Sequence, residues 1–302
     1  MSKPTIAVCI TSLGATKNAL AKAYRDLEPF TDYFDVIFDN GLIATDRFGS
    51  RPVDDRIESL TWAVENGDII MAWDGGFNSI ELLGRLDELP VTDKPFVGYS
   101  DNTVLGNALA ATGKCRFFYG PVMDDVVNKP RRRRQIAESL MSLYKDDSGS
   151  MTVQYNEAGP KTVQAGNMTG KIWGGNNYSF DLLPGTPFSP TFDTPYILFM
   201  EGEDILKQRK YVWRDFIRNI DAIMLLPGAQ DNLQGIIIGR FPSSYRLKKD
   251  DVRAFVQARS YLKNVPIVID FPCGHSSKNC YLPIGQTVRI ALRTDNTMKV
   301  TL

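Results

Sequence analysis

The stretch Asp54-Asp-Arg-Ile-Glu-Ser-Leu-Thr-Trp-Ala-Val-Glu65, followed after Asn66 and Gly67 by Asp68-Ile-Ile-Met-Ala-Trp73, decides the fold class. In the first part Ile57, Leu60, Thr61 and Val64 recur at three- and four-residue spacing, the period of one helical face. The second part is a short apolar run of the kind that forms a buried strand. The same alternation extends in both directions. Upstream, Thr5–Ile10 reads as a strand, Ala15–Leu27 as a helix with Leu20, Ala23 and Leu27 on one stripe, and Asp35–Phe38 as a second strand. Downstream, Pro95–Gly98 is again strand-like, and a helix from Asn102 to Ala111 is stopped by Gly113. Short strands alternating with amphipathic helices predict βαβ units and an α/β domain with a mainly parallel sheet.

The chain has 302 residues, about twice the ~150-residue domain prior, so two domains are expected. The small, polar stretch Lys145-Asp-Asp-Ser-Gly-Ser150 marks the boundary, giving an N-terminal domain of residues 1–148 and a C-terminal one of 149–302. Beyond it the texture becomes β-richer. Strand-like runs occur at Met151–Tyr155, Tyr196–Met200, Gly235–Ile238, Ile267–Phe271 and Thr287–Leu292, with helices expected at Lys207–Ile220 and Lys249–Leu262.

Lys plus Arg and Asp plus Glu both number 35, so no global field draws this chain to nucleic acid or to an anionic membrane. Arg131–Arg134 is the one charge block. After Pro130 it reads as the solvated start of a helix running to Tyr144, with Ile136, Leu140 and Leu143 buried. No apolar run approaches the ~18 residues of a membrane helix, and Ile6–Ile10 is too short for a signal-peptide core. The four scattered cysteines, at 9, 115, 273 and 280, fit free thiols in a reducing compartment, and a cytoplasmic protein is expected.

Four pieces carry chemistry. In Phe96-Val-Gly-Tyr-Ser-Asp-Asn102 a strand runs through Gly98 and Ser100 into a helix. A nucleophile on such a turn stands above the sheet edge, with the following amide aimed at a developing oxyanion. The final Gly of a G-x-S-x-G elbow is lacking, and helix capping by Ser100 is the plainer alternative. His275 is the only histidine, in the loop Phe271-Pro-Cys-Gly-His-Ser-Ser277 after a strand, so a Ser-His hydrolase here can use no other imidazole as its base. In Tyr196-Ile-Leu-Phe-Met-Glu201 an apolar strand runs into a carboxylate, with Glu203 two residues on and on the same face. Orienting an imidazole would justify such a carboxylate; a solvated strand end is the alternative, and periodicity does not choose between the two glutamates. In Ile69-Ile-Met-Ala-Trp-Asp-Gly-Gly76 a strand ends in paired glycines whose amides can approach a ligand closely, though such a pair is also a common turn.

In this order along the chain, Trp73-Asp-Gly-Gly76, Lys94-Pro-Phe-Val-Gly-Tyr-Ser-Asp101, Phe118-Tyr-Gly-Pro121, Trp173-Gly-Gly-Asn176, Leu198-Phe-Met-Glu201, Phe271-Pro-Cys-Gly-His275 and Leu282-Pro-Ile-Gly285 resemble the LD-carboxypeptidases and their relatives, the microcin C immunity proteins. The resemblance implies a serine hydrolase with Ser100 as nucleophile, His275 as base and Glu201 orienting the base. Its oxyanion hole would be built from the amides of Asp101 and Gly76. It further implies an α/β N-terminal domain joined to a smaller β-rich C-terminal domain with the active site in the cleft between, no cofactor and no metal. The implied partner is a small peptide or aminoacyl-nucleotide substrate, and the implied assembly a homodimer. Gly75-Gly-Phe-Asn-Ser-Ile-Glu-Leu-Leu83 resembles the immunity branch more than the murein-trimming one, which would release D-alanine from a muropeptide. Asn78, Trp173 and Glu203 stand as substrate-binding candidates, with Glu203 also in reserve for the place of Glu201.

Two other chemistries compete for the His275 loop. Cys273, His275 and Cys280 contain zinc-type ligands but lack a fourth and a familiar spacing. Cys273 as a thiol nucleophile competes with simple packing of that side chain.

Overall fold

The computed structural model describes residues 2–145, 160–203, 212–241, 247–275, 280–292 and 298–301. The chain divides into two compact units, Met1–Lys145 with Tyr281–Pro283, and Asp146–Cys280 with Ile284–Leu302. They are nearly equal in length, where the resemblance implied a smaller C-terminal domain.

In the first unit the order is β1 (Thr5–Cys9), α1 (Lys17–Arg25), β2 (Asp35–Phe38), α2 (Val53–Asn66), β3 (Ile69–Ala72), β4 (Pro95–Gly98), α3 (Asn102–Ala111), β5 (Arg116–Tyr119), α4 (Met123–Asn128) and α5 (Arg133–Lys145). The helix α2 forms where the spacing predicts. It buries Ile57, Leu60, Ala63 and Val64, carries Asp54 and Asp55 in its first turn, where they complement the helix dipole, and stops at Gly67. All four residues of β3 are buried, as in a central parallel strand. The pairs β2–β1, β1–β3, β3–β4 and β4–β5 are all parallel. A further short strand, Leu282–Ile284, extends the sheet beside β5, and the hydroxyl of Tyr281 donates to the carbonyl of Pro121 at 2.9 Å. The stretch after the glycine pair forms 3₁₀ turns over Ser79–Glu88 with Gly84 in their middle.

The arginine block is not uniformly solvated. Arg131 and Arg134 are exposed, but Arg133 is 1% exposed. Its guanidinium donates to the carbonyls of Val126, Val127 and Glu28 and to Asp26 Oδ1. The acceptors at 26 and 28 lie about a hundred residues away in sequence, which is why local reading misplaced this side chain.

The second unit holds β6 (Lys161–Gln164), β7 (Gly166–Asn176), α6 (Asn177–Phe180), β8 (Tyr196–Glu201), α7 (Val212–Ile223), β9 (Leu233–Gly239), α8 (Lys249–Gln257) and β10 (Ile267–Phe271). With Leu282–Ile284 as β11, it ends in β12 (Thr287–Leu292) and β13 (Met298–Thr301). Among the described residues its sheet runs in the order β13-β12-β7-β8-β9-β10-β6. The pairs β7–β8, β8–β9 and β9–β10 are parallel, while β12 and β6 flank this core antiparallel. The helix expected from Lys207 is described only from Val212 and continues to Ile223. Its buried Trp213 and Phe216 gather with Phe241 and Phe255 in one aromatic cluster. The helix expected over Lys249–Leu262 ends at Gln257 and resumes as a 3₁₀ turn at Ser260–Leu262. The strand expected at Met151–Tyr155 lies outside the described residues. Among the described residues, no helix is long and apolar enough to cross a membrane.

Candidate active site

In the first unit the turn between β4 and α3 places Ser100 at φ +57°, in the left-handed region that non-glycine residues rarely enter. The chain reverses there within one residue. The Ser100 carbonyl accepts from the Thr103 amide, starting the helix, and the Ser100 amide donates to the Tyr119 hydroxyl at 3.3 Å. A sharp strand-to-helix turn of this kind presents its side chain above the sheet edge.

The glycine pair approaches that serine. A Cβ on Gly75 would lie 2.8 Å from Ser100 Cβ and 3.2 Å from its Oγ, so only glycine fits there. Gly76 follows at φ +153°, against Ser12 and Leu13. Asp101 ties the two turns together. It is 3% exposed, and its Oδ2 accepts the Ser79 amide at 2.8 Å and the Ser12 hydroxyl at 2.6 Å. The Ser79 hydroxyl donates back to the Asp101 carbonyl at 2.7 Å, and the Phe77 amide donates to Ser12 Oγ at 3.2 Å. Asn78 is itself buried in this network, its carbonyl accepting from Arg56. The turn that carries Gly76 is thus pinned to the residue after the serine.

In the second unit, parallel register sets Asn176, at the end of β7, opposite Glu201, at the end of β8. Glu201 is fully buried. Its carboxylate receives Nδ1 of His275, 2.8 Å from Oε1 and 3.0 Å from Oε2, and the backbone N–H of His275 at 3.1 Å. A Cβ on Gly274, which sits at φ +119°, would come within 2.6 Å of Glu201 Oε2, so glycine is what lets the loop close on the carboxylate. Asn176 orients the group further. Its Oδ1 accepts the amides of Tyr178 and Ser179, capping α6, which turns its Nδ2 to Glu201 Oε1 at 3.2 Å and to Glu203 Oε2 at 3.1 Å. With Nδ1–H directed at Glu201, Nε2 is the basic nitrogen of the neutral ring. Glu203 Oε2 lies 3.4 Å from it.

Glu201, not Glu203, therefore holds Nδ1, which the two-residue period left open. Trp173 is 4% exposed on β7 and presents little surface to a ligand. Cys273 is buried, its pKa pushed well up by burial, and its thiol donates to the Cys280 carbonyl at 3.1 Å, so it is an unactivated thiol. The residues missed by sequence reasoning are Gly75, Ser12, Tyr119 and, above all, Asn176. A polar residue ending the motif Trp173-Gly-Gly-Asn176 was the available signal for the last.

Residues 6–120 match the LD-carboxypeptidase N-terminal domain and residues 169–290 match the LD-carboxypeptidase C-terminal domain. The chain belongs to the LD-carboxypeptidase family. Among relatives, a putative carboxypeptidase of Treponema pallidum is 28% identical over 278 residues, 84% of this chain and 80% of that protein. The microcin C7 self-immunity protein MccF of Escherichia coli is 26% identical over 282 residues, 83% of this chain and 79% of that protein. A crystal structure of an MccF-like protein from Bacillus anthracis superposes with a TM-score of 0.84 at 24% identity, covering 100% of this chain and 97% of that one. MccF has also been solved in complex with aspartyl sulfamoyl adenosine, with a TM-score of 0.80 at 20% identity over 100% of this chain and 98% of that one. The LD-carboxypeptidase fold, with a mainly parallel N-terminal sheet and a separate C-terminal sheet, is therefore shared across these proteins.

Proposed function

We propose that this LD-carboxypeptidase family member is a serine hydrolase that cleaves an amide-like bond between an aminoacyl or peptidyl group and a nucleotide moiety, as an immunity-type enzyme of the cytoplasm. The observation that carries the reading is the Glu201–His275 pair. The only imidazole of the chain is held by Nδ1 on a fully buried carboxylate, the arrangement that makes Nε2 a base. The positive φ of Ser100 and the approach of Gly75 support the nucleophile. The complex of MccF with aspartyl sulfamoyl adenosine supports the substrate class.

In this mechanism Nε2 of His275 takes the Ser100 hydroxyl proton as Oγ attacks the carbonyl carbon. The imidazolium that forms is stabilised by Glu201, and the amides of Asp101 and Gly76 receive the oxyanion. Nε2 then returns the proton to the leaving nitrogen or oxygen as the acyl bond breaks. Water attacks the acyl-enzyme with the same base and releases the acid. No step calls for a metal or an organic cofactor.

The test is mass spectrometry of products from the protein and its Ser100→Ala variant, incubated in parallel with aspartyl sulfamoyl adenosine and a murein tetrapeptide. Release of the nucleoside sulfamate, lost in the variant, is expected. Release of D-alanine instead, also lost in the variant, would keep the nucleophile and move the substrate to murein. Turnover that survives Ser100→Ala would overturn the mechanism.

A further inference from the structure

The end of β8 presents two carboxylates to one imidazole. Glu201 takes Nδ1, and Glu203 Oε2 lies 3.4 Å from Nε2. Nδ2 of Asn176 bonds both, at 3.2 and 3.1 Å. Burial separates them: the Glu201 side chain is enclosed, whereas that of Glu203 is 30% exposed. Asn176 itself is uncharged, the Cys273 thiol is kept neutral by burial, and the charged residue that follows β9 is Arg240.

A carboxylate beside Nε2 favours the protonated ring before substrate arrives, and a ring that already carries a proton on Nε2 cannot take one from the serine. It has only acceptor atoms, repels an anion and attracts a cation. These properties are at odds with base catalysis unless something positively charged engages the carboxylate when substrate binds. The group that suits is one whose charge sits close to the scissile carbonyl.

We propose that Glu203 is a specificity residue that receives a primary ammonium on the carbon next to the scissile carbonyl, so that the preferred substrate is an aminoacyl conjugate with a free α-amine. The proposal rests on the hydrolase reading given above. An ammonium offers three donors to the Glu203 carboxylate. In taking it the carboxylate stops favouring the imidazolium, the Nε2 proton passes to water, and the neutral ring is left able to accept the serine proton. A peptidyl or N-acylated conjugate carries no charge at that position and leaves Glu203 on His275. The same contact therefore both selects the free amine and couples its binding to the readiness of the base.

Because His275 is the only histidine, its ring nitrogens can be followed without ambiguity by long-range 1H–15N NMR of the whole protein. Glu203→Gln is expected to lower the His275 titration midpoint by about one pH unit. An unchanged midpoint would overturn the proposal. A second arm uses Ser100→Ala, so that no turnover intervenes, and measures by calorimetry the affinity for aspartyl sulfamoyl adenosine and its N-acetyl derivative. The free amine is expected to bind at least about tenfold tighter, with the preference shrinking to about threefold or less in Ser100→Ala/Glu203→Gln. Equal affinities, no binding of either, or a preference that survives the Glu203 substitution would each overturn it. Neither arm requires catalysis, so failure of the wild-type protein to cleave these conjugates would count against the hydrolase reading alone.

Discussion

The carboxylate of Glu201 is bonded twice to a single residue: one oxygen lies 2.8 Å from Nδ1 of His275 and the other accepts the backbone N–H of His275 at 3.1 Å. Ring and backbone are fixed together, so the tautomer and the position of the imidazole have one cause. A glutamine at 201 has one acceptor oxygen for two donors and would set its own NH2 against the other. Glu201→Gln is expected to lower kcat by about 10³–10⁴-fold with a smaller change in KM, measured by steady-state kinetics. A loss below about tenfold would assign the orienting role elsewhere.

Asp101 is expected to act through the turns it joins. Asp101→Ala leaves the buried Ser79 amide without its acceptor and the Ser12 hydroxyl with only Asn78 Oδ1, at 3.0 Å, destabilising the first unit by roughly 1–3 kcal/mol. Loosening of the glycine turn should reduce kcat by on the order of 10²-fold. Asp101→Asn keeps an oxygen for both donors and should restore most of the kcat and the melting temperature. If both variants lose kcat alike, hydrogen bonding to this side chain is not what positions the turn.

The buried thiol beside the histidine gives a simple discrimination. Cys273→Ser preserves size and a donor to the Cys280 carbonyl, and kcat is expected to stay within about tenfold of wild type. A fall of about 10³-fold or more would transfer the nucleophile from oxygen to sulfur.

Acid stability should depend in part on Asp221. The Arg259 guanidinium beside it, helped by the Tyr261 hydroxyl, holds its carboxyl below the usual carboxylate range. A carboxyl lowered in the folded state stabilises that state above the unfolded pKa near ~3.9, and this contribution is lost as pH falls through the folded value. The side chains are 20% and 40% exposed, so solvent screening limits the effect to about 1 kcal/mol or less. Asp221→Asn is expected to lower the melting temperature at pH 7 by roughly 2 °C, with the difference shrinking as pH falls below the ordinary carboxylate range. A difference that persists at low pH would point to packing instead of charge.

Strands such as Thr5–Cys9, Ile69–Ala72, Pro95–Gly98 and Tyr196–Glu201 were legible because each is a short apolar run, and Ser100 because a polar turn joins such a run to a helix. Lys161–Gln164 and Gly166–Asn176, mixed with polar residues and glycines, were not. Glu201 and His275 were visible as a carboxylate and an imidazole at strand ends. What sequence alone could not supply is what depends on neighbours distant in the chain. Asn176 enters the site because β7 and β8 run parallel in a register that sets it opposite Glu201. Gly75 rather than Gly76 meets Ser100 because of how two strand ends converge. Arg133 is buried because residues 26 and 28 supply acceptors, and no local pattern announces that.

The left-handed backbone at Ser100 has an evolutionary consequence. An L-residue in that conformation costs roughly 1–2 kcal/mol that glycine would not incur, so the most stable version of this turn would be one with no side chain at all. Under the proposed mechanism, drift toward stability runs toward an inert protein, and only selection for the reaction keeps a serine where the main chain least favours one.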